Sequence, residues 1–169
     1  MKAYYSDIHG YYHGDSPIDN TTIEVPPRPN HYYDWVGDDW VLNTTRLKLD
    51  KLKEIDDKSE EVRNKYITPG FGQSMTYLKK AEDAHLFASN GYPEDSTSGY
   101  VYITAEATAR GMTKTDAANY IIATEQAWQT LAATIEEIRI RGKYQLEALT
   151  SESEILNHVN LIIGELNVL

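Results

Sequence analysis

Several stretches of this chain hold residue types that do chemistry elsewhere, and their spacing decides what each can support. His9 and His13 stand four apart, with Asp7 and Asp15 around them and glycines at 10 and 14. Imidazole nitrogens and carboxylates converging at about 2.0–2.2 Å would hold zinc or a similar ion. Glycine and aspartate are equally what a tight turn contains, so a turn is expected there and no metal. Asp56-Asp57 and Glu60-Glu61 lie in a strongly charged helical segment. Adjacent residues on a helix point to different sides, so these carboxylates read as a solvated face and not as an acid–base pair. Thr68-Pro69-Gly70-Phe71-Gly72-Gln73-Ser74 runs into a helix, as a phosphate loop does, but lacks the lysine followed by serine or threonine. It reads as a hinge between helices. His31, His85 and His158 are isolated, and no serine sits in a nucleophile elbow. With no cysteine there is neither a thiol nucleophile nor a disulfide. The expectation is a protein that is not an enzyme and uses no cofactor, a metal-dependent enzyme being the third-ranked reading.

The remaining notable chemistry is aromatic. Thirteen tyrosines stand against two phenylalanines, and tyrosine suits surfaces that pack on one side and hydrogen-bond on the other. Sixteen basic against 26 acidic side chains leave a formal charge of −10, which opposes a phosphate backbone. No nucleic-acid partner is expected. The start, Met1 to Ile8, lacks the apolar run of a signal peptide, and no stretch approaches the eighteen or so apolar residues of a membrane span. A soluble protein made in the cytoplasm, with no membrane partner, is expected.

The elements that must position these residues fall into two groups. Residues 1–43 hold turn formers and aromatics with almost no helical period. Lys2–Tyr5 and Thr21–Val25 read as strands, with a short strand at Tyr11 and Tyr12. Pro26, Pro27 and Pro29 impose an extended, donor-poor link. Tyr32–Trp35 and Trp40–Leu42 flank Val36-Gly37-Asp38-Asp39, as in a β-hairpin that sets Trp35 opposite Trp40.

From Thr45 to Tyr66 a stripe of Leu47, Leu52, Ile55, Val62 and Tyr66 predicts a helix, stopped by Thr68-Pro69-Gly70. Gly72–Ala88 predicts a second, with Met75, Leu78, Ala81, Ala84, His85 and Ala88 inward or partly so, closed by Asn90-Gly91. Residues 91–103 read as a surface loop, and Thr104–Ala109 as one or two helical turns ended by Gly111. Thr113 and Asp116 form an acidic capping box, with Met112 placed to staple against Ala117. The long helix they open runs to Leu149. Its stripe is Ile121, Trp128, Leu131, Ile135, Ile138 and Leu149, filled by Thr124, Gly142 and Gln145, while Glu125, Gln129, Glu136, Arg139 and Lys143 form the wet face. Trp128 is expected in the core. Such a helix reaches roughly 55 Å and needs a second helix, a second chain or a break near Gly142. Ser151 and Glu154 cap a last helix with Ile155, Leu156, Val159, Ile162 and Leu166 inward. The fold class is α+β: a small N-terminal β-rich module with an aromatic hairpin over 1–43, then an antiparallel helical scaffold over 44–169 with the loop 91–103.

Val25-Pro26-Pro27-Arg28-Pro29, followed by Tyr33-Asp34-Trp35 and Asp39-Trp40-Val41, resembles the amino-terminal region of bacteriophage tail fibre assembly proteins, the tail fibre chaperones. Trp35, Gly37 and Trp40 take the places of their W-x-G-x-x-W hairpin. Thr68-Pro69-Gly70, Gln73, Met75-Thr76-Tyr77, Lys79, Ala81-Glu82, Tyr92-Pro93, Ala105-Glu106-Ala107, Gly111-Met112-Thr113, Trp128, Ile135-Glu136 and Arg139 are similar to the helical part that follows such hairpins in many phage tail proteins. The stretch between Pro93 and Ala105 and the density of tyrosine near the start depart from that pattern. The resemblance implies a chaperone that binds a phage tail fibre protein, helps its trimer form, and in some phages stays attached, with other tail or baseplate proteins as further partners. It would work in the host cytoplasm during assembly and, where retained, in the virion tail. Tyr32, Tyr33, Trp35 and Trp40 are the candidate partner-binding residues; the alternative for the tryptophans is packing of the hairpin against a helix. The rival function is a structural virion component that attaches or caps a fibre.

Overall fold

The computed structural model describes residues 1–67, 72–96 and 98–169, and its fold is α+β, five short antiparallel strands followed by five helices. The expected helix stop at Thr68-Pro69-Gly70 lies outside the described residues. The chain divides into two compact units, residues 1–55 with 142–161 and residues 56–141 with 162–169.

In the first unit, β1 (Lys2–Ser6) is the middle strand of a three-stranded sheet, between β2 (Gly10–Gly14) and the two-residue β3 (Ile23–Glu24). Tyr4 lies opposite Tyr12, and Tyr5 lies between Tyr11 and Ile23. Alternation places Tyr4 and Tyr12 on one face, where their rings stack at 5.5 Å and Tyr4 is buried, and Tyr5 and Tyr11 on the other. A separate hairpin pairs β4 (Tyr33–Val36) with β5 (Asp39–Leu42). Its loop is two residues, not the four expected, because Val36 and Asp39 still pair. Gly37 has φ +65°, and Asp38 is not among the residues of positive φ. Those signs belong to a type II′ turn, whose first central position calls for glycine.

The helical part of this unit comprises the first half of α1 (Thr44–Asn64), the end of α4 (Lys114–Glu147) and most of α5 (Glu152–Asn167). Leu47, Ile55, Leu146, Ile155 and Val159 are its buried apolar residues. Helix α4 passes Gly142 unbroken; this glycine is buried, and its carbonyl accepts a 2.8 Å hydrogen bond from His158 Nε2. Ser151 caps α5 as its spacing predicts: Ser151 Oγ accepts from the Glu154 N–H, and Glu154 Oε2 accepts from the Ser151 N–H.

The second unit holds α2 (Gln73–Ser89), α3 (Val101–Arg110), most of α4 and the ends of α1 and α5. Ala84, Phe87, Ile103, Ala107, Ala117, Ala118 and Ile121 form one buried cluster, with Met112 packed against it. Helix α3 begins at Val101, so the expected loop 91–103 is three residues too long and the expected one or two turns are a ten-residue helix. The reason is a cap from another helix: Asp83 Oδ2 on α2 accepts hydrogen bonds from the N–H groups of Tyr102 (2.9 Å) and Ile103 (3.1 Å). Glu94 does the same for α4, accepting from the N–H groups of Lys114 and Thr115, beside the Thr113–Asp116 box. Hydrogen bonding to Thr115 holds the Glu94 carboxyl below the usual glutamate range.

Three side-chain assignments are corrected. On α2, Met75 and Leu78 face outward, 69% and 64% exposed, and Phe87 takes the inward place beside Ala81 and Ala84. On α4 the inward positions include Glu125, Ala132, Arg139 and Leu146, while Thr124 and Gln145 are exposed. Glu125, Glu136 and Arg139 are half-buried because each finds a partner: His85 with Glu125 (2.6 Å), Arg63 with Glu136 (2.5 Å) and Arg139 with Asp56 (2.7 Å). Tyr66 falls beyond the end of α1 and is exposed.

Candidate partner-binding surface

The hairpin register sets Trp35 directly opposite Trp40. The hydrogen bond from Asn43 N–H to the Tyr32 carbonyl, continued along the ladder, makes Trp35/Trp40 a non-hydrogen-bonded pair, where opposed side chains stand closest. Their rings meet edge to face at 5.2 Å. Tyr5 packs against both indoles at 6.5 and 6.4 Å, and Tyr11 meets Trp40 edge to face at 5.2 Å. The tryptophans therefore rest on the three-stranded sheet, and both stay half-exposed. The alternative reading has the tryptophans pack the hairpin against a helix; the rings they meet are tyrosines of the strands.

Arg28 fastens the proline link to this cluster. Its guanidinium lies 5.6 Å from the Trp40 ring centroid, its Nε donates to the Tyr33 carbonyl at 2.7 Å, and its Nη2 donates to the His31 carbonyl at 3.0 Å. The Arg28 N–H donates to Tyr11 Oη, and Trp40 Nε1 donates to the Pro26 carbonyl at 2.8 Å. Proline supplies no N–H, so the link offers carbonyls to the indole while its φ angles are preset. Neither Arg28 nor the Tyr5–Tyr11 floor follows from residue spacing, although the density of tyrosine is the signal that an aromatic surface exists.

The two tyrosines of the candidate set are tied down. Tyr33 Oη donates to Glu152 Oε2 at 2.8 Å, and Asn30 Nδ2 donates to the other oxygen of that carboxylate at 2.6 Å. Bonding to Glu152, then desolvation, raises the Tyr33 phenol above its ordinary value. Tyr32 lies against the His31 ring at 3.8 Å, and desolvation, with help from Asp50, raises its phenol too. Asp34 on β4 pairs with Arg46 at 2.6 Å, which lowers its carboxyl, with Asn43 assisting. Trp35 and Trp40 are thus the members of the set whose rings present open area without a polar anchor to α5, on a frame of fixed neighbours.

The histidine cluster does not converge. His9 Nε2 lies 2.8 Å from Asp19, His13 Nε2 lies 2.9 Å from Tyr11 Oη, Asp7 accepts from Tyr5 Oη, and Asp15 lies 3.9 Å from the terminal ammonium. Hydrogen bonds from Thr21, then His9, hold the Asp19 carboxyl well below the usual range. Among the described residues no three His, Asp or Glu side chains stand together as a metal site. Asp56 is taken by Arg139, Glu60 lies 3.5 Å from Arg63 and Glu61 pairs with Lys58, so these carboxylates face cations and not each other.

The second unit has a cleft of about 580 Å³ that the residue pattern does not reveal. Tyr66, Tyr77, Leu78, Ile121 and Trp128 form its apolar wall, so Trp128, expected in the core, is half-buried and lines an open space. At its polar end Glu106 accepts from Lys80 and from Arg110 Nε, both at 2.5 Å, and Arg110 stacks 4.2 Å from the Tyr120 centroid. The bond from Lys80, then that from Arg110, lowers the Glu106 carboxyl although burial opposes the shift. No helix is long and apolar enough to cross a membrane among the described residues. No family model, curated protein or solved structure matches the chain, so the reading of its function rests on its own residues.

Proposed function

We propose that this chain is a bacteriophage tail fibre assembly chaperone, acting in the host cytoplasm by gripping a fibre protein through the Trp35–Trp40 face of its hairpin, and carried on the virion tail where it stays bound. The observation that carries the reading is the half-exposed tryptophan pair on a hairpin of W-x-G-x-x-W form, fixed by Arg28, the proline link and Glu152. A fibre tip in assembly exposes unpaired strand edges and apolar side chains, which aggregate until covered. Large, rigid aromatic groups on a frame that is already ordered bind such surfaces at a small entropic cost. The role requires no reaction, cofactor, nucleic acid or membrane.

Co-expression with the tail fibre protein of the same phage tests the reading. Soluble trimeric fibre is expected to rise when this chain is present, and Trp35→Ala is expected to reduce that gain while leaving the far-ultraviolet circular dichroism unchanged. No gain in soluble fibre with the native chain overturns it. Recovery of the chain from purified particles in fixed ratio, together with no effect on fibre solubility, would favour a structural tail component.

A further inference from the structure

The outer edge of β2 is open along its whole length among the described residues. The Val25 N–H donates to the Ala3 carbonyl, so Ala3 and Tyr5 turn their backbone groups toward β3, and Lys2, Tyr4 and Ser6 turn theirs toward β2. The β1–β2 register then aims the backbone groups of Gly10, Tyr12 and Gly14 inward and those of Tyr11 and His13 outward. No strand lies beyond β2, and none of those four outward groups has a hydrogen-bond partner among the described residues.

Other edges are engaged along part of their length or carry a carboxylate, Asp34 on β4 and Asp39 on β5. Arg28 and Asn30 engage the Tyr33 backbone on β4, Asp39 Oδ1 accepts from the Trp40 N–H on β5, and β3 is two residues long and leads into Pro26 and Pro27. Gly10-Tyr11-Tyr12-His13-Gly14 has no proline, lysine or carboxylate and a regular register without a bulge, so the usual guards against strand addition are missing.

We propose that this edge is the contact between two copies of the chain, β2 pairing antiparallel with β2 of its mate about a two-fold axis at Tyr12. Two-fold pairing sets Tyr12 opposite Tyr12 of the second copy as a non-hydrogen-bonded pair, and Tyr11 opposite His13 on either side. All four outward groups on each strand are then used, giving four hydrogen bonds with no overhang. The glycines at 10 and 14 meet each other, and at Gly14 the Tyr12 ring of the same strand fills the space a side chain would take. A strand of unrelated sequence would find the same backbone, but the near-palindromic order Gly-Tyr-Tyr-His-Gly also sets glycine opposite glycine and ring opposite ring along the two-fold pair. Two five-residue strands cover little area, and each copy brings a formal charge of −10. The dimer is therefore concentration-dependent and tightened by salt. This inference does not depend on the fibre reading.

Sedimentation of the full chain over a wide concentration range tests it. The native chain is expected to pass from monomer to dimer, more readily at high salt. His13→Pro removes an outward N–H without touching a β1 bond, and should weaken the dimer by about tenfold or more, whereas His13→Ala, which keeps the backbone, should not. Hydrogen exchange on the native chain is the second reading. Tyr11 and His13 amides should gain protection with concentration, while the Tyr12 amide is protected throughout. A monomer at every concentration, a His13→Pro variant that dimerises like the native chain, or Tyr11 and His13 amides that exchange independently of concentration would each overturn the proposal. So would protection of those amides by added fibre protein alone. Should His13→Pro fail to fold, the exchange data on the native chain decide.

Discussion

Phe87→Ala is the substitution whose cost can be worked most directly from the packing. Phe87 is fully buried, and the cluster around it is built of Ala84, Ala107, Ala117 and Ala118 with Ile103 and Ile121. Its ring also meets Tyr92 at 5.7 Å and Tyr100 at 5.0 Å, both edge to face. Truncating a buried phenylalanine costs about 3–5 kcal/mol, set by how far the surroundings collapse into the space. Alanine methyls have no rotamers with which to follow, and two aromatic contacts worth roughly 0.5–1.5 kcal/mol each are lost as well. The loss should therefore lie near the top of that range, about 4–5 kcal/mol, against a total of about 5–15 kcal/mol for an ordinary domain. Phe87→Leu keeps most of the volume and should cost only about 1.5 kcal/mol. Urea titrations followed by circular dichroism would measure both, the m-value serving to check that the same unfolding is compared. A Phe87→Ala loss below about 1.5 kcal/mol, with m unchanged, would mean that the ring does not fill the α2–α3–α4 cluster, and the packing argument would fail.

Two further outcomes follow from the geometry. Gly37→Ala should lower stability by about 1 kcal/mol in thermal melts, because φ is +65° there while no atom lies near enough to clash, so the whole effect is backbone strain. The Glu106 carboxyl is depressed by Lys80 and Arg110, so the stability it contributes is fully present above its ordinary value of 4.5 and is lost as pH falls below that through the native value. Glu106→Gln should accordingly flatten the acid limb of stability between neutral pH and the acid range, and an unchanged acid limb in pH-resolved urea titrations would refute this.

What could be read along the chain and what could not differ in a physical way. Local hydrogen bonding is legible: the capping box at Ser151 forms as spaced, Thr113 Oγ1 accepts from the Asp116 N–H as half of the expected box, and the Trp35–Gly37–Trp40 spacing gives a hairpin with the indoles opposed. The apolar face of α5 was also legible, because Ile155, Val159, Ile162 and Leu166 leave one assignment of sides. Where the start of α3 was misplaced, a distant partner decided it. Helix α3 starts early because Asp83 caps it from α2, and nothing within residues 91–103 announces that.

The α+β division, the helical character of most of the second half and the hairpin itself were determined by residue type and short-range spacing, since those features depend on neighbours within a few positions. Only the tertiary structure decided that Arg28 and Glu152 fix the aromatic tip, that tyrosines of a separate sheet underlie it, and that Trp128 lines a cleft. Such contacts join residues far apart in the chain, and a charged or amphipathic side chain becomes half-buried or solvated according to whether a partner from elsewhere reaches it.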